Sequence, residues 1–417
     1  MCRPPAVRRR APRGRRAPAG PHRRRGPCVL QGSRTRGAGR RPRRRTLSAG
    51  RNIRRVDHVQ EAVQALVDDD LAAGRHLGVQ VAAVQAGVLV VDVAAGHLDP
   101  ARTRPVRSDS VFCCFSVTKA LAALVVWRLV EAGRVGLDDP VAAHWPGFRA
   151  PVTVRQVLAH QGGLHRAPPG IDVDLLTADR AGIEWVAALE PAWEPGTATG
   201  YHTLTHGWLL RGLVEAVTGR PFPATFAPGV WCGLPAEVAD RAAVVVEAPG
   251  SRGLEWIVPN GHVHPAAEAM PPAFEPDWND PRVRAALQPA FSGWASATAL
   301  ARVFGALAAG GGGMFRSDTV AAMARPVVEA VDVCLDVEVR RSAGFELGGR
   351  WEGGAVGALG PRTTAFGHGG HGGQVVVADP EADLAIAVLV NLLPAPQLAS
   401  ERTTVVCELI RGLLDAA

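Results

Sequence analysis

Two pairs of β-branched runs, one near each end of the chain, constrain the fold more than any other feature. Val79 to Val84 and Val88 to Val93 meet at Gln85-Ala86-Gly87, while Gln374 to Ala378 and Leu384 to Val390 meet across Asp379-Pro380-Glu381-Ala382-Asp383. Each pair reads as a hairpin, because strand-forming runs are joined by turn-forming residues. Apolar positions at helical spacing accompany them. They run from Val56 to Ala73 with Gly74 as a stop, from Ser116 to Ala132 with Gly133 as a stop, and over about Ala399 to Leu414. In the second of these, Leu121, Leu124, Val125 and Leu129 share a face. The middle of the chain, to about residue 290, is helical and loop-rich. Strands at both ends of a helical middle predict an α+β fold with one antiparallel sheet flanked by helices. The sheet part is expected over 56–110 and 290–417, with a helical lobe over 111–289 inserted into it. A cleft between sheet and lobe is the expected place for a site.

The first 56 residues stand apart. They hold 20 of the 46 basic residues and no Asp or Glu, which leaves 26 basic against 39 acidic residues, a balance of −13, for the remainder. Residues 1–55 mix Arg, Pro, Gly and Ala with few large apolar side chains, so they cannot offset the entropy of folding and are expected to be disordered. Such a segment could serve as a nucleic-acid or anionic-membrane arm or a transit peptide. Its Pro and Gly content favours a plainer origin, a start codon placed too far upstream, so that the segment is not translated. Residues 56–417 are acidic and offer no bulk basic surface to a phosphate backbone, which excludes nucleic-acid binding by the folded part. Seven cysteines, an odd number in a long chain, do not form a disulfide framework, and a reducing cytoplasmic location follows. No run of eighteen apolar residues crosses a membrane.

Composition also points to the chemistry. Only one of the 46 basic residues is a lysine, Lys119, and the chain has one tyrosine, Tyr201. Lys119 follows Ser116 by three residues at the head of the second helix, where i and i+3 share a face one turn apart. A serine hydroxyl is a weak nucleophile until a neighbour takes its proton. Burial and the positive end of the helix dipole both disfavour an ammonium there, which prepares Lys119 as a base. Arginine could not substitute, since it does not deprotonate. The plain alternative is a helix N-cap followed by an ordinary solvated lysine.

With Ser116-x-x-Lys119 go two further blocks, Leu129-Val130-Glu131-Ala132-Gly133-Arg134-Val135-Gly136-Leu137-Asp138-Asp139-Pro140-Val141 and Val152-Thr153-Val154-Arg155-Gln156-Val157-Leu158-Ala159-His160-Gln161-Gly162-Gly163-Leu164. In these the sequence resembles the serine β-lactamase and penicillin-binding superfamily, specifically its class C-like, family VIII type esterase branch, over roughly residues 57 to 415. The resemblance implies a β-lactamase/DD-peptidase-like fold with Ser116 as the acylated residue. It implies Tyr201, in Tyr201-His202-Thr203, as a proton shuttle, although Thr203 stands where lactamases carry asparagine. The family's Lys-Thr-Gly becomes His368-Gly369-Gly370, a change found in the esterase branch. The second oxyanion N–H then falls on the backbone of His371, with the first on Ser116. The implied function is cleavage of carboxylic esters through an acyl-enzyme, with acyl transfer, weak β-lactam or peptide hydrolysis, or a non-catalytic sensor as alternatives.

Rival motifs are weaker. Gly367-His368-Gly369-Gly370-His371-Gly372 matches G-x-G-x-x-G but precedes a strand instead of following one. There is no G-x-S-x-G elbow and no Gly-Lys for a phosphate loop. His262/His264 and His368/His371 lack a ligand framework, so no metal is expected. His160 is read as a buried hydrogen-bonding residue, with His202 and His206 flanking the site. Partners reduce to a small ester or amide substrate, with no cofactor, and subunit number leaves no trace in the sequence.

Overall fold

The protein was analysed as a computed structural model, which describes residues 49–248, 265–271, 274–350, 357–394 and 396–415. The Arg-rich tail, apart from residues at its very end, and the His262/His264 pair lie outside the described residues. The tail's last residues belong to the first helix, α1 (Ala49–Ala72), which begins before the apolar repeat does.

The two hairpins expected from sequence form neighbouring parts of one eight-stranded sheet. We number its strands β1 (Gly78–Gln85), β2 (Val88–Gly96), β3 (Val328–Asp332), β4 (Val337–Arg341), β5 (Glu346–Leu347), β6 (Phe366–Gly369), β7 (Val375–Asp379) and β8 (Leu384–Val390). Across the sheet the order is β2-β1-β8-β7-β6-β5-β4-β3. The first hairpin docks on the last one along an antiparallel register from Val79 opposite Val390 to Gln85 opposite Leu384. The N-terminal strands thus complete a sheet begun by the C-terminal half.

Both faces of the central strands are covered, which explains why they read as unbroken apolar runs. In β8, Leu384, Ile386, Val388 and Val390 join Val59, Val63 and Val67 of α1 and Val406, Cys407 and Ile410 of the closing helix. The alternate residues Ala385, Ala387 and Leu389 point the other way, into the core shared with the lobe. Alanine there lets a helix over Ala297–Ala308 come close. A Cβ on its Gly305 would lie 2.9 Å from Val84.

The second helix, α2 (Val117–Glu131), departs from the amphipathic reading. Eleven of its residues, from Val117 to Leu129 and including Lys119, are buried around its whole circumference. It runs through the lobe's core, and a helix apolar all round belongs there. Gly133 ends it at φ 66°. The middle of the chain also contains more strand than its sequence suggests: Phe112–Cys113, Thr225–Ala227, Val230–Cys232 and Gly293–Ala295 form a four-stranded sheet. These segments are two or three residues long, too short for a period-two pattern to show. None of the described helices is long and apolar enough to cross a membrane.

Candidate active site

Ser116 sits at the N-cap of α2. Its side chain makes no capping hydrogen bond, so the hydroxyl is not spent on the helix end. Phe115 before it adopts φ 43°, an uncommon setting for a bulky residue, and this turns the chain from the short strand into the helix. Lys119 is 1% exposed and donates from Nζ to Ser116 Oγ at 3.2 Å and to the Ala290 carbonyl at 2.9 Å. Burial pulls its pKa from 10.5 down to about 7, with Glu346 opposing and Arg341 reinforcing the change. An ordinary solvated lysine is therefore not what occupies this position.

Tyr201 is buried in a loop, with its ring centroid 4.7 Å from Lys119 Nζ. Burial first, then the negative charge of Glu346, pushes its phenol well up, while Ser116 and Arg341 act in the opposite sense. The loop is held from two sides. His160 accepts the N–H of Gly200 on its carbonyl at 3.0 Å and that of His202 on Nδ1 at 3.1 Å, so it brackets Tyr201. From the sheet, Asp332 accepts the Tyr201 N–H at 3.1 Å and those of Cys334 and Leu335 at 2.8 and 3.0 Å. Its other oxygen pairs with Arg341 at 2.5 Å. Arg341 also donates to Thr199 Oγ1 at 2.9 Å and lies 5.5 Å from the Tyr201 ring centroid.

The opposite wall is the end of β6. His368 is buried, with its ring centroid 6.2 Å from that of Tyr201, and its Nδ1–H faces the Gly369 carbonyl at 2.5 Å. Burial lowers its pKa, which makes it a neutral ring near pH 7. Gly370 abuts the Ser116 segment so closely that a Cβ on it would lie 2.7 Å from the Cys114 carbonyl oxygen. The His371 ring meets Phe115 edge-on at 5.4 Å. Among the described residues, neither the Ser116 nor the His371 backbone N–H donates to a protein acceptor. Two free donors thus flank the serine, as stabilisation of an oxyanion requires.

Comparison with known proteins fits this geometry. The family model described as Beta-lactamase matches residues 63–408. The chain belongs to the β-lactamase family. It is 32% identical over 345 residues to the esterase/beta-lactamase LipL of Mycobacterium tuberculosis, covering 76% of this chain and 77% of that protein. A penicillin-binding protein homologue from Caulobacter crescentus superposes with TM-score 0.74 at 30% identity, covering 85% of this chain and 97% of that one. A family VIII carboxylesterase does so with TM-score 0.75 at 29% identity and the same coverage. The mixed fold with its antiparallel sheet is the one expected, and the protein is a β-lactamase-family serine hydrolase.

In this family member, Lys119 bridges Ser116 and the Tyr201 ring, Tyr201 neighbours His368, and Gly370 and His371 pack on Cys114 and Phe115, the residues just before Ser116. Three site residues had no signal in the sequence reading. Asp332, Arg341 and Glu346 come from the far end of the sheet, and nothing local in the sequence ties them to the serine. His206, expected to flank the site, lies stacked at 4.5 Å on His160. His202 is wholly buried, with Nδ1 at 2.6 Å from the Gly200 carbonyl and Nε2 accepting the Leu164 N–H at 2.9 Å, and burial lowers its pKa to about 3. No group of three metal-ligating side chains occurs among the described residues.

Proposed function

We propose that the protein hydrolyses carboxylic esters through an acyl-enzyme on Ser116, with Lys119 as base and Tyr201 as proton relay. The observation that carries this reading is a buried amine with pKa about 7, at 3.2 Å from a serine hydroxyl that does not cap its helix. At neutral pH much of Lys119 is unprotonated and can take the Ser116 proton as Oγ attacks the ester carbonyl. The tetrahedral oxyanion would be held by the Ser116 and His371 amides. Tyr201 stays a neutral phenol, so its role is to hand the proton from the Lys119 side to the departing alkoxide. Water then enters on the same path and the acyl group leaves as the acid. The catalytic unit is read as residues 56–417.

Thr203 offers no amide where lactamases have asparagine, and neutral His368 offers no fixed charge to a substrate carboxylate. Both features support esters over β-lactams and peptides. The decisive experiment is burst release of p-nitrophenol from a short-chain ester. Ser116→Ala should abolish the burst and lower turnover at least about a thousandfold. An unchanged rate in that variant rejects the proposal. Added acceptor alcohols, a chromogenic cephalosporin and a search for a stable adduct separate hydrolysis from acyl transfer, lactamase activity and one-time acylation.

A further inference from the structure

Glu346, close enough to Lys119 to raise its pKa against burial, is a carboxylate that among the described residues forms no ion pair with a lysine or arginine. It pairs with Gly367 through β5 and β6, and one carboxylate oxygen accepts the Gly369 N–H at 3.0 Å. The nearest ring nitrogen, His368 Nδ1, is 4.0 Å away in a neutral imidazole turned toward a carbonyl. Among the described residues no lysine or arginine forms an ion pair with Glu346. Arg340 is held by Glu329 at 2.6 Å and the Gly348 carbonyl at 2.8 Å, and Arg341 is held by Asp332. Lys119, the remaining nearby cation, spends its hydrogen bonds on Ser116 Oγ at 3.2 Å and the Ala290 carbonyl at 2.9 Å.

The Glu346 side chain is 33% exposed. It opens into a cavity of about 560 Å³ that runs from Gly370 and His371 past Glu346 to the β3–β4 connection. Leu335, Val339 and Leu347 give the cavity apolar walls, Glu338 adds a second carboxylate, and the one arginine in the described lining, Arg340, is paired with Glu329. An unbalanced anion at the wall of a cleft concentrates cations and repels anions.

We propose that this cavity is a substrate subsite for a positively charged group, an ammonium or quaternary ammonium on an apolar arm of the ester, held by Glu346. The inference rests on the hydrolase reading above and inverts the charge preference that a lysine in the third motif would impose.

The test compares the p-nitrophenyl ester of trimethylammonio-butyric acid with its uncharged isostere, in which a tert-butyl group replaces the trimethylammonium. In the wild type at low salt the charged ester should have the higher kcat/KM, by about tenfold for one charge pair at a few ångströms in a half-wet site. The ratio should collapse toward one in Glu346→Gln, and in the wild type at about 0.5 M NaCl. Glutamine still accepts the Gly369 N–H, and because the ratio is taken within each enzyme, any change in Lys119 cancels. A ratio near one in the wild type, or one that survives Glu346→Gln, overturns the subsite. Calorimetric titration of phenyltrimethylammonium into Ser116→Ala protein tests it without turnover. Binding should weaken about tenfold when Glu346→Gln is added, and absence of binding to the parent overturns the subsite however the hydrolysis assays come out.

Discussion

The Ser116/Lys119 pair and the Tyr201 loop converge on the same few ångströms by different routes. Ser116 and Lys119 are one turn apart on α2, so the helix itself sets their spacing once it forms. Tyr201 has no such guarantee. Its loop is tied to His160 on one side and to Asp332 and Arg341 on the other, residues more than a hundred positions away in the case of Asp332. Local geometry brings the hydroxyl and the amine together, whereas tertiary packing brings in the phenol. Damage to the first should therefore remove chemistry without loss of fold, and damage to the second should cost both.

The largest effect is expected at Lys119. Lys119→Met should lower ester turnover by about a thousandfold or more, as loss of a general base does when it also activates the nucleophile. The same variant should melt at a higher temperature than the wild type at about pH 6, with most of that advantage gone by about pH 10. The sign follows from linkage. The lysine's folded pKa of about 7 lies below its unfolded value of 10.5, so the folded state binds fewer protons between them, and the penalty is complete below about 7 and fades as pH rises. A variant that melts lower at about pH 6 than the wild type would show that the amine is not penalised by burial.

Next comes the clamp. Asp332→Ala leaves Arg341 buried without its counter-charge and should destabilise the fold by about 3–5 kcal/mol, with a loss of activity as Tyr201 shifts. Adding Arg341→Met to Asp332→Ala should restore most of the stability but not the activity. Denaturant melts read the first quantity and ester kinetics the second. Recovery of both together would mean that the pair supports the sheet and not the tyrosine.

The pH profile comes third. If Lys119 is the base as proposed, kcat/KM for an uncharged ester should rise with pH through about 7 and then level, with a slope of one proton. A flat profile over this interval separates Lys119 from the proton transfer. The smallest effect belongs to His371→Ala, which keeps the backbone N–H and should change turnover by less than about threefold, against the hundredfold or more typical of a lost oxyanion donor.

The strands at each end of the chain were legible because β1, β2, β7 and β8 are long and β-branched. The rest of the sheet was not. Within the stretch of β3, β4, β5 and β6, Glu346–Leu347 is two residues long and Phe366–Gly369 is interrupted by glycine, so no period rises above background. The Ser116–Lys119 relation was legible because it lies within one helical turn and because the lysine has no competitors elsewhere in the sequence. The motif also drew attention to Tyr201 and His368, but not to their supports.

From sequence alone came the helix that pairs a hydroxyl with an amine, the hairpins at the two ends of the chain, and the histidine His368 where the family carries a lysine. These are properties of neighbours along the chain, where bond geometry fixes distance. The three-dimensional fold decided the rest: how far Lys119 is dried, which carboxylate holds Tyr201, and that Glu346 meets no lysine or arginine in an ion pair among the described residues. Dehydration and ion pairing depend on what surrounds a group from every direction, and most of those surroundings arrive from distant parts of the chain.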